Sequence, residues 1–176
     1  DPSVRLEIKQ QQSGTLNFTY SLASKKQAVP CLRGSRNFHL TNLDILVNAD
    51  DASVGVKSKD GNFELKSVGY LRVLMDSSQR PHRYEIAFDS PADEAFYGFG
   101  ERYNAVDQRG NSLRNRVIDQ YKRQGKRTYY PVPFFISSRG YGIWVKTDHE
   151  ITFDMAESNP AAWKMVFAAG SASSDL

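Results

Sequence analysis

Phe96-Tyr97-Gly98-Phe99-Gly100-Glu101-Arg102-Tyr103 and, after a polar stretch, Tyr129-Tyr130-Pro131-Val132-Pro133-Phe134-Phe135-Ile136-Ser137-Ser138-Arg139-Gly140-Tyr141-Gly142-Ile143-Trp144 decide how this chain is read. The first segment is a strand end punctured by two glycines. Glycine there permits positive φ or a close backbone approach, and a β-bulge is the usual result. The second segment is a pair of strands joined by a tight turn at Arg139-Gly140. A polar, basic insert separates the two and contains Asp107-Gln108-Arg109-Gly110. A phosphate-cradling reading of the glycines needs a following helix with Gly and Lys at fixed offsets, and none is present.

Outward from this stretch, period-two alternation dominates, with turn residues every eight to twelve positions or so. Val4, Leu6 and Ile8, then Leu16, Phe18 and Tyr20, read as an opening hairpin around Ser13-Gly14. Further strands are expected at Phe38 and Leu40, at Leu43, Ile45 and Val47, at Val54 and Val56, and at Phe63, Leu65 and Val68. Others follow over residues 70–74, 84–88, 129–137, 141–147, 150–155 and 163–168. Residues 115–125 have room for a helical turn, but their polarity argues for a loop. About a dozen short strands and no amphipathic helix of ten residues predict an all-β fold, an antiparallel two-sheet β-sandwich.

Composition narrows the function. A chain of 176 residues suits one domain with a substantial core, and 40% hydrophobic with 12% aromatic residues favours a β-rich globular fold over disorder. Between Arg102 and Arg127 stand eight Lys or Arg against two carboxylates, Asp107 and Asp119. That patch could draw an acidic ligand, but no nucleic-acid module accompanies it. The expectation is a solvated loop whose carboxylate partners lie in another domain. Cys31, the one cysteine, allows no intrachain disulfide and slightly favours a reducing, cytoplasmic setting. No run approaches the length of a membrane helix and no signal segment is visible, so no membrane partner is expected. The start at Asp1 rather than Met suggests that something upstream was removed or not included.

The order of motifs resembles the N-terminal β-sandwich of family 31 glycoside hydrolases, the retaining α-glucosidase and α-xylosidase group. Tyr97-Gly98-Phe99-Gly100-Glu101, Arg109-Gly110, Val132-Pro133-Phe134-Phe135 and Gly140-Tyr141-Gly142 carry the resemblance, with Phe99 where the family typically has Leu. It is specific over residues 96–157 and weaker, though compatible, before them. It implies a galactose-mutarotase-like sandwich over residues 1–170, with residues 171–176 beginning a linker to a (β/α)8 catalytic barrel. The barrel would hold the two catalytic Asp residues, leaving none in this chain. The intact enzyme would hydrolyse α-glycosidic bonds of a carbohydrate substrate, and this domain would pack on the barrel and lend a loop to the substrate-site rim. No cofactor is implied. A free-standing carbohydrate-binding module and an independent mutarotase-like enzyme are the alternatives; the latter needs a His and a carboxylate facing one pocket.

Glu101 and Asp107 are the tempting acid pair, since glycosidases use two carboxylates about 5 Å apart when retaining and about 6.5 to 9.5 Å when inverting. Beside Arg102 and Arg109, however, they look equally like neutralised ion pairs. Sugars are held by carboxylate and guanidinium hydrogen bonds and by aromatic stacking. The candidate substrate-binding residues are therefore Asp119, Tyr121, Asp107 and Arg109, with Asp119 placed at the rim by the resemblance. The Val117-to-Arg127 stretch is longer and more basic than in many members, which bears on substrate preference. His39, His82 and His149 stand singly, so no metal site is expected. Trp144 and Trp163 suit core or interface packing better than sugar platforms. Ser137 and Ser138 lack a nucleophile-elbow pattern and a His partner.

Overall fold

The computed structural model describes residues 4–12, 15–22, 35–40, 42–48, 53–68, 71–78, 80–147 and 149–168. Among these there are fourteen strands and no helix. The expected linker start at residues 171–176 lies outside them. The chain divides into two compact units, residues 1–64 and 65–176.

In the first unit, β1 (Val4–Gln12) and β2 (Thr15–Leu22) form the expected hairpin, with Leu6 opposite Tyr20 and Ile8 opposite Phe18. Strands β3 (Ser35–His39), β4 (Leu43–Asn48) and β5 (Ser53–Ser58) pair in that order, and β6 (Glu64–Lys66), which starts at the unit's last residue, is the fourth strand of that sheet. Leu43, Ile45, Val54 and Val56 are buried while Leu46 between them is exposed, as the side-chain period of two requires.

The second unit holds β7 (Arg72–Met75), β8 (Pro81–Asp89), β9 (Phe96–Gly100), β10 (Asn111–Asn115), β11 (Pro131–Ser137), β12 (Gly142–Trp144), β13 (Ile151–Met155) and β14 (Ala162–Ala168). A five-stranded sheet runs β10-β13-β14-β8-β7 and a three-stranded sheet runs β12-β11-β9, every pairing antiparallel. Aromatic rings join them. Phe135 of β11 meets Trp163 of β14 edge-on at 5.2 Å, and Trp163 stacks on Phe88 of β8 at 4.4 Å. Each such pair adds about 0.5–1.5 kcal/mol beyond the area it buries. The sandwich expected from the alternation is what this unit forms, and Trp163 is core.

Strand β10 was not anticipated, because Asn-Ser-Leu-Arg-Asn carries a single apolar residue. Leu113 at its centre is fully buried, and the ladder to β13 pairs it with Phe153. One inward side chain suffices for an edge strand but leaves no period to read.

The glycine-punctured end of β9 does form a bulge. Gly98, Phe99 and Gly100 all have positive φ, at 117°, 66° and 84°, and the pairing with β11 slips between Pro131 and Phe135. Simple alternation from buried Phe96 would aim Phe99 outward. The left-handed run turns it inward instead, where it stacks on Phe135 at 5.0 Å. A Cβ on Gly100 would sit 2.0 Å from the Tyr130 carbonyl oxygen, so no other residue fits without moving the backbone.

Candidate functional site

Residues 116–128 leave β10 and return to β11 as a loop with a closed neck. Val117 and Thr128 form a parallel bridge, the Ile118 amide donates to the Thr128 carbonyl at 2.9 Å, and the Thr128 hydroxyl donates to the Glu101 carbonyl. Arg102 ties the neck to the sandwich. Its guanidinium donates to the carbonyls of Phe99 at 3.1 Å, Lys126 at 3.0 Å and Arg114 at 3.3 Å, which gathers the ends of β9, β10 and the loop. Burial pushes its pKa down to about 10, so it stays charged at neutral pH. The planar fork suits three acceptors at fixed angles, which an ammonium does not match.

Beyond the neck the loop is held by glutamine amides. The Gln120 amide donates to the carbonyls of Lys122 and Arg123, and the Gln124 amide donates to the carbonyl of Gln120 at 2.9 Å. Lys122, Arg123 and Gly125 have positive φ there. At this end Asp119 is exposed and has no hydrogen bond or ion pair among the described residues. Tyr121 is 87% exposed, with the Lys122 ammonium 5.0 Å from its ring centre. Asn115 Oδ1, at the end of β10, and Gln124 Oε1, in the loop, are the buried side-chain oxygens without a partner among the described residues. A free carboxylate and an exposed phenol ring are groups that hydroxyl-rich ligands use.

The basic residues at the ends of the loop are paired within the same unit, contrary to the expectation of partners in another domain. Arg114 and Arg116 both reach Glu150, at 2.6 and 3.7 Å, and Lys126 pairs with Glu157. The sequence hides this because Glu150 and Glu157 stand well downstream and are brought over by β13 pairing with β10.

Asp107 and Arg109 lie before β10. Asp107 Oδ1 accepts from the Phe96 amide at 3.0 Å and the Arg109 amide at 2.9 Å. The Arg109 guanidinium donates to Ser90 Oγ, the Glu94 carbonyl and the Pro160 carbonyl, at 2.8, 3.0 and 2.7 Å. Neither carboxylate forms the ion pair its neighbour suggested: the Arg102 and Arg109 side chains go to other partners, and the Glu101 carboxylate takes the Tyr103 hydroxyl at 3.1 Å. That bond raises the Tyr103 pKa. Successive side chains on extended backbone diverge, so adjacency in sequence is a poor guide to pairing here.

One cluster carries no sequence signal. Glu94 is 1% exposed, and its carboxylate accepts from Ser90 at 2.8 Å, from Tyr141 at 2.6 Å and from Ser137. The Trp163 indole then donates to the Tyr141 oxygen at 3.1 Å. Burial, then the Glu94 hydrogen bond, drives the Tyr141 pKa far upward, so the phenol keeps its proton. The network joins the β8–β9 turn, the β11–β12 hairpin and β14, and Ser137 serves it as a donor.

Residues 2–154 match the glycosyl hydrolase 31 N-terminal galactose mutarotase-like domain, and the chain belongs to that family. It is 43% identical over 83 residues to the isomaltosyltransferase of Sporosarcina globispora, spanning 47% of this chain and 8% of that protein. It is 40% identical over 86 residues to the 1,3-alpha-isomaltosidase of Kribbella flavida, spanning 46% of this chain and 12% of that one. The cycloalternan-forming enzyme of Listeria monocytogenes, solved with a pentasaccharide substrate, superposes with a TM-score of 0.77 at 28% identity, over 96% of this chain and 17% of its own. The chain thus spans a small fraction of each relative's length.

Proposed function

We propose that this chain is the non-catalytic N-terminal domain of a retaining α-glycosidase acting on α-glucosyl linkages. It packs on the catalytic barrel and lends residues 116–128 to the rim of the substrate site. The observation that supports this most is the loop itself: a neck fixed by Arg102 and Thr128 holds out Asp119 and Tyr121, whose polar groups the domain leaves unused. Asp119 accepts sugar hydroxyls and Tyr121 offers its ring face. Asp107 has a second carboxylate oxygen open to the same role, and Arg109 holds the turn that leads into β10. The acid and base groups of hydrolysis belong to the barrel.

The experiment compares two samples on chromogenic α-glucosides and on isomaltose, namely this chain and the longer polypeptide encoded by the same gene. The longer one turns over and this chain stays at the buffer blank, because positioned acid and base groups supply large rate factors. Turnover that copurifies with this chain overturns the non-catalytic reading.

A further inference from the structure

The outer face of the β9-β11-β12 sheet is apolar across all three strands. Phe134 lies opposite Trp144 and Ile136 opposite Gly142 in the β11–β12 ladder, and Ile136 lies opposite Tyr97 in the β11–β9 ladder. Directly opposed residues share a face, so Tyr97, Phe134, Ile136 and Trp144 form one surface. Their exposures are 40, 38, 50 and 65%. The Phe134 ring lies over Gly142, where a Cβ would meet Cε2 at 3.3 Å, which closes the gap the glycine leaves and flattens the surface.

The sequence of β11 says what such a face is for. Pro131-Val132-Pro133-Phe134-Phe135-Ile136 is a continuous apolar run, the pattern of a strand buried on both faces. A strand with one solvated face tends to alternate, as β5 does with Val54 and Val56. Here the inner face is covered by the five-stranded sheet and the outer face is open. A contiguous exposed apolar patch marks an interaction surface.

We infer that this outer face is the docking surface for the following domain of the same longer polypeptide, a reading that rests on the function proposed above. Two observations select that occupant. The relatives that share this fold carry it as a small part of their length, 17% in the cycloalternan-forming enzyme and 8% in the isomaltosyltransferase, so a covalently attached protein surface is at hand. The outward positions Tyr97, Phe134, Ile136 and Trp144 also offer no carboxylate or amide to pair with sugar hydroxyls. The Lys146 ammonium lies 5.1 Å from the Trp144 ring centre, so the partner surface is apolar with an acidic group facing it.

Hydroxyl-radical footprinting of the 176-residue chain and of the intact longer polypeptide tests this, with glycosidase activity measured on the same samples. Tyr97, Phe134 and Trp144 are expected to label in the chain and to be protected about tenfold or more in the intact protein. The double variant Ile136→Thr/Trp144→Thr puts a strand-compatible β-branched residue at both positions and should leave the melting temperature of the chain unchanged while lowering that of the intact protein. Equal labelling in an active intact protein overturns the docking face and leaves the proposed function standing. An intact protein without glycosidase activity removes the proposed function itself. Protection of Trp144 in the chain by isomaltotriose, or protection that grows with chain concentration, assigns the face to a glycan or to a second copy and also overturns the inference.

Discussion

The end of β9 and the tip of the 116–128 loop each hold three left-handed residues, yet they are stabilised in opposite ways. At β9 the run is Gly98, Phe99 and Gly100, with Phe99 fully buried and Gly100 against the Tyr130 carbonyl. At the loop it is Lys122, Arg123 and Gly125, with nothing within 4 Å of where a Gly125 Cβ would stand. Core packing imposes the first conformation. Side-chain amides of Gln120 and Gln124 impose the second, at the surface. Strain held by packing is a constraint on sequence, whereas strain held by a few polar bonds leaves the side chains free to serve a ligand. A third turn lies between these cases: buried Ala156, with φ of 65°, is followed by Glu157 and Ser158, whose amides donate to the Asp154 carboxylate at 2.9 and 3.1 Å.

Substitutions separate these regions most sharply. Gly100→Ala is expected to cost about 4 kcal/mol or more in denaturant unfolding, since it adds a backbone clash to an unfavourable φ. Gly125→Ala carries only the φ penalty, about 1–2 kcal/mol. Equal effects at the two sites would erase the distinction between packed and solvated strain. Asp119→Ala is expected to leave unfolding within about 0.5 kcal/mol. On the function proposed above, the same change in the longer polypeptide should reduce kcat/KM by roughly 10- to 150-fold, the equivalent of a charged hydrogen bond worth about 1.5–3 kcal/mol. The loss should fall on KM if the contact is equal in ground and transition states. Wild-type kinetics on every α-glucoside would take Asp119 out of the site.

The Asp154 turn gives a smaller, pH-dependent signal. Burial pushes its pKa up, but the Ser158 hydrogen bonds, the Glu157 amide and Lys164 outweigh that and hold it below the ordinary value. A depressed folded pKa contributes stability above the unfolded value of about 3.9 and loses it as pH falls through the folded value. Melting curves from pH 6 to about pH 2 should therefore fall less steeply in Asp154→Asn than in wild type at the acid end. Parallel curves would mean that the turn does not depend on the charge. Glu101→Ala should be the mildest change, within about 0.5 kcal/mol by thermal unfolding, because the carboxylate is exposed and meets only the Tyr103 hydroxyl.

What could be read in advance followed the same division. The bulge at Gly98 to Gly100, the hairpin at Arg139-Gly140 and the sandwich itself were legible, since each rests on local backbone chemistry or on apolar alternation. Strand β10 was not, because Leu113 alone faces the core. Nor were the Glu94 network and the Arg102 tether, whose partners are backbone carbonyls and hydroxyls distributed from Ser90 to Trp163. Polar groups that bond to main chain leave no periodic trace. Of the candidate residues, Asp119 and Tyr121 fall together in the open loop, while Asp107 and Arg109 bind the β9 edge and the turn around Pro160.

The closed neck of the loop also separates two kinds of inheritance. Because Val117 meets Thr128 and Arg102 holds both arms, the segment between them is a ring attached at a fixed base. Lengthening such a ring costs only about 0.6 kcal/mol for each doubling. Its residues can be exchanged, extended or shortened while the register of β10 and β11 stays as it is. The sandwich is thus a stationary mount, and variation in the loop needs no renegotiation with the core.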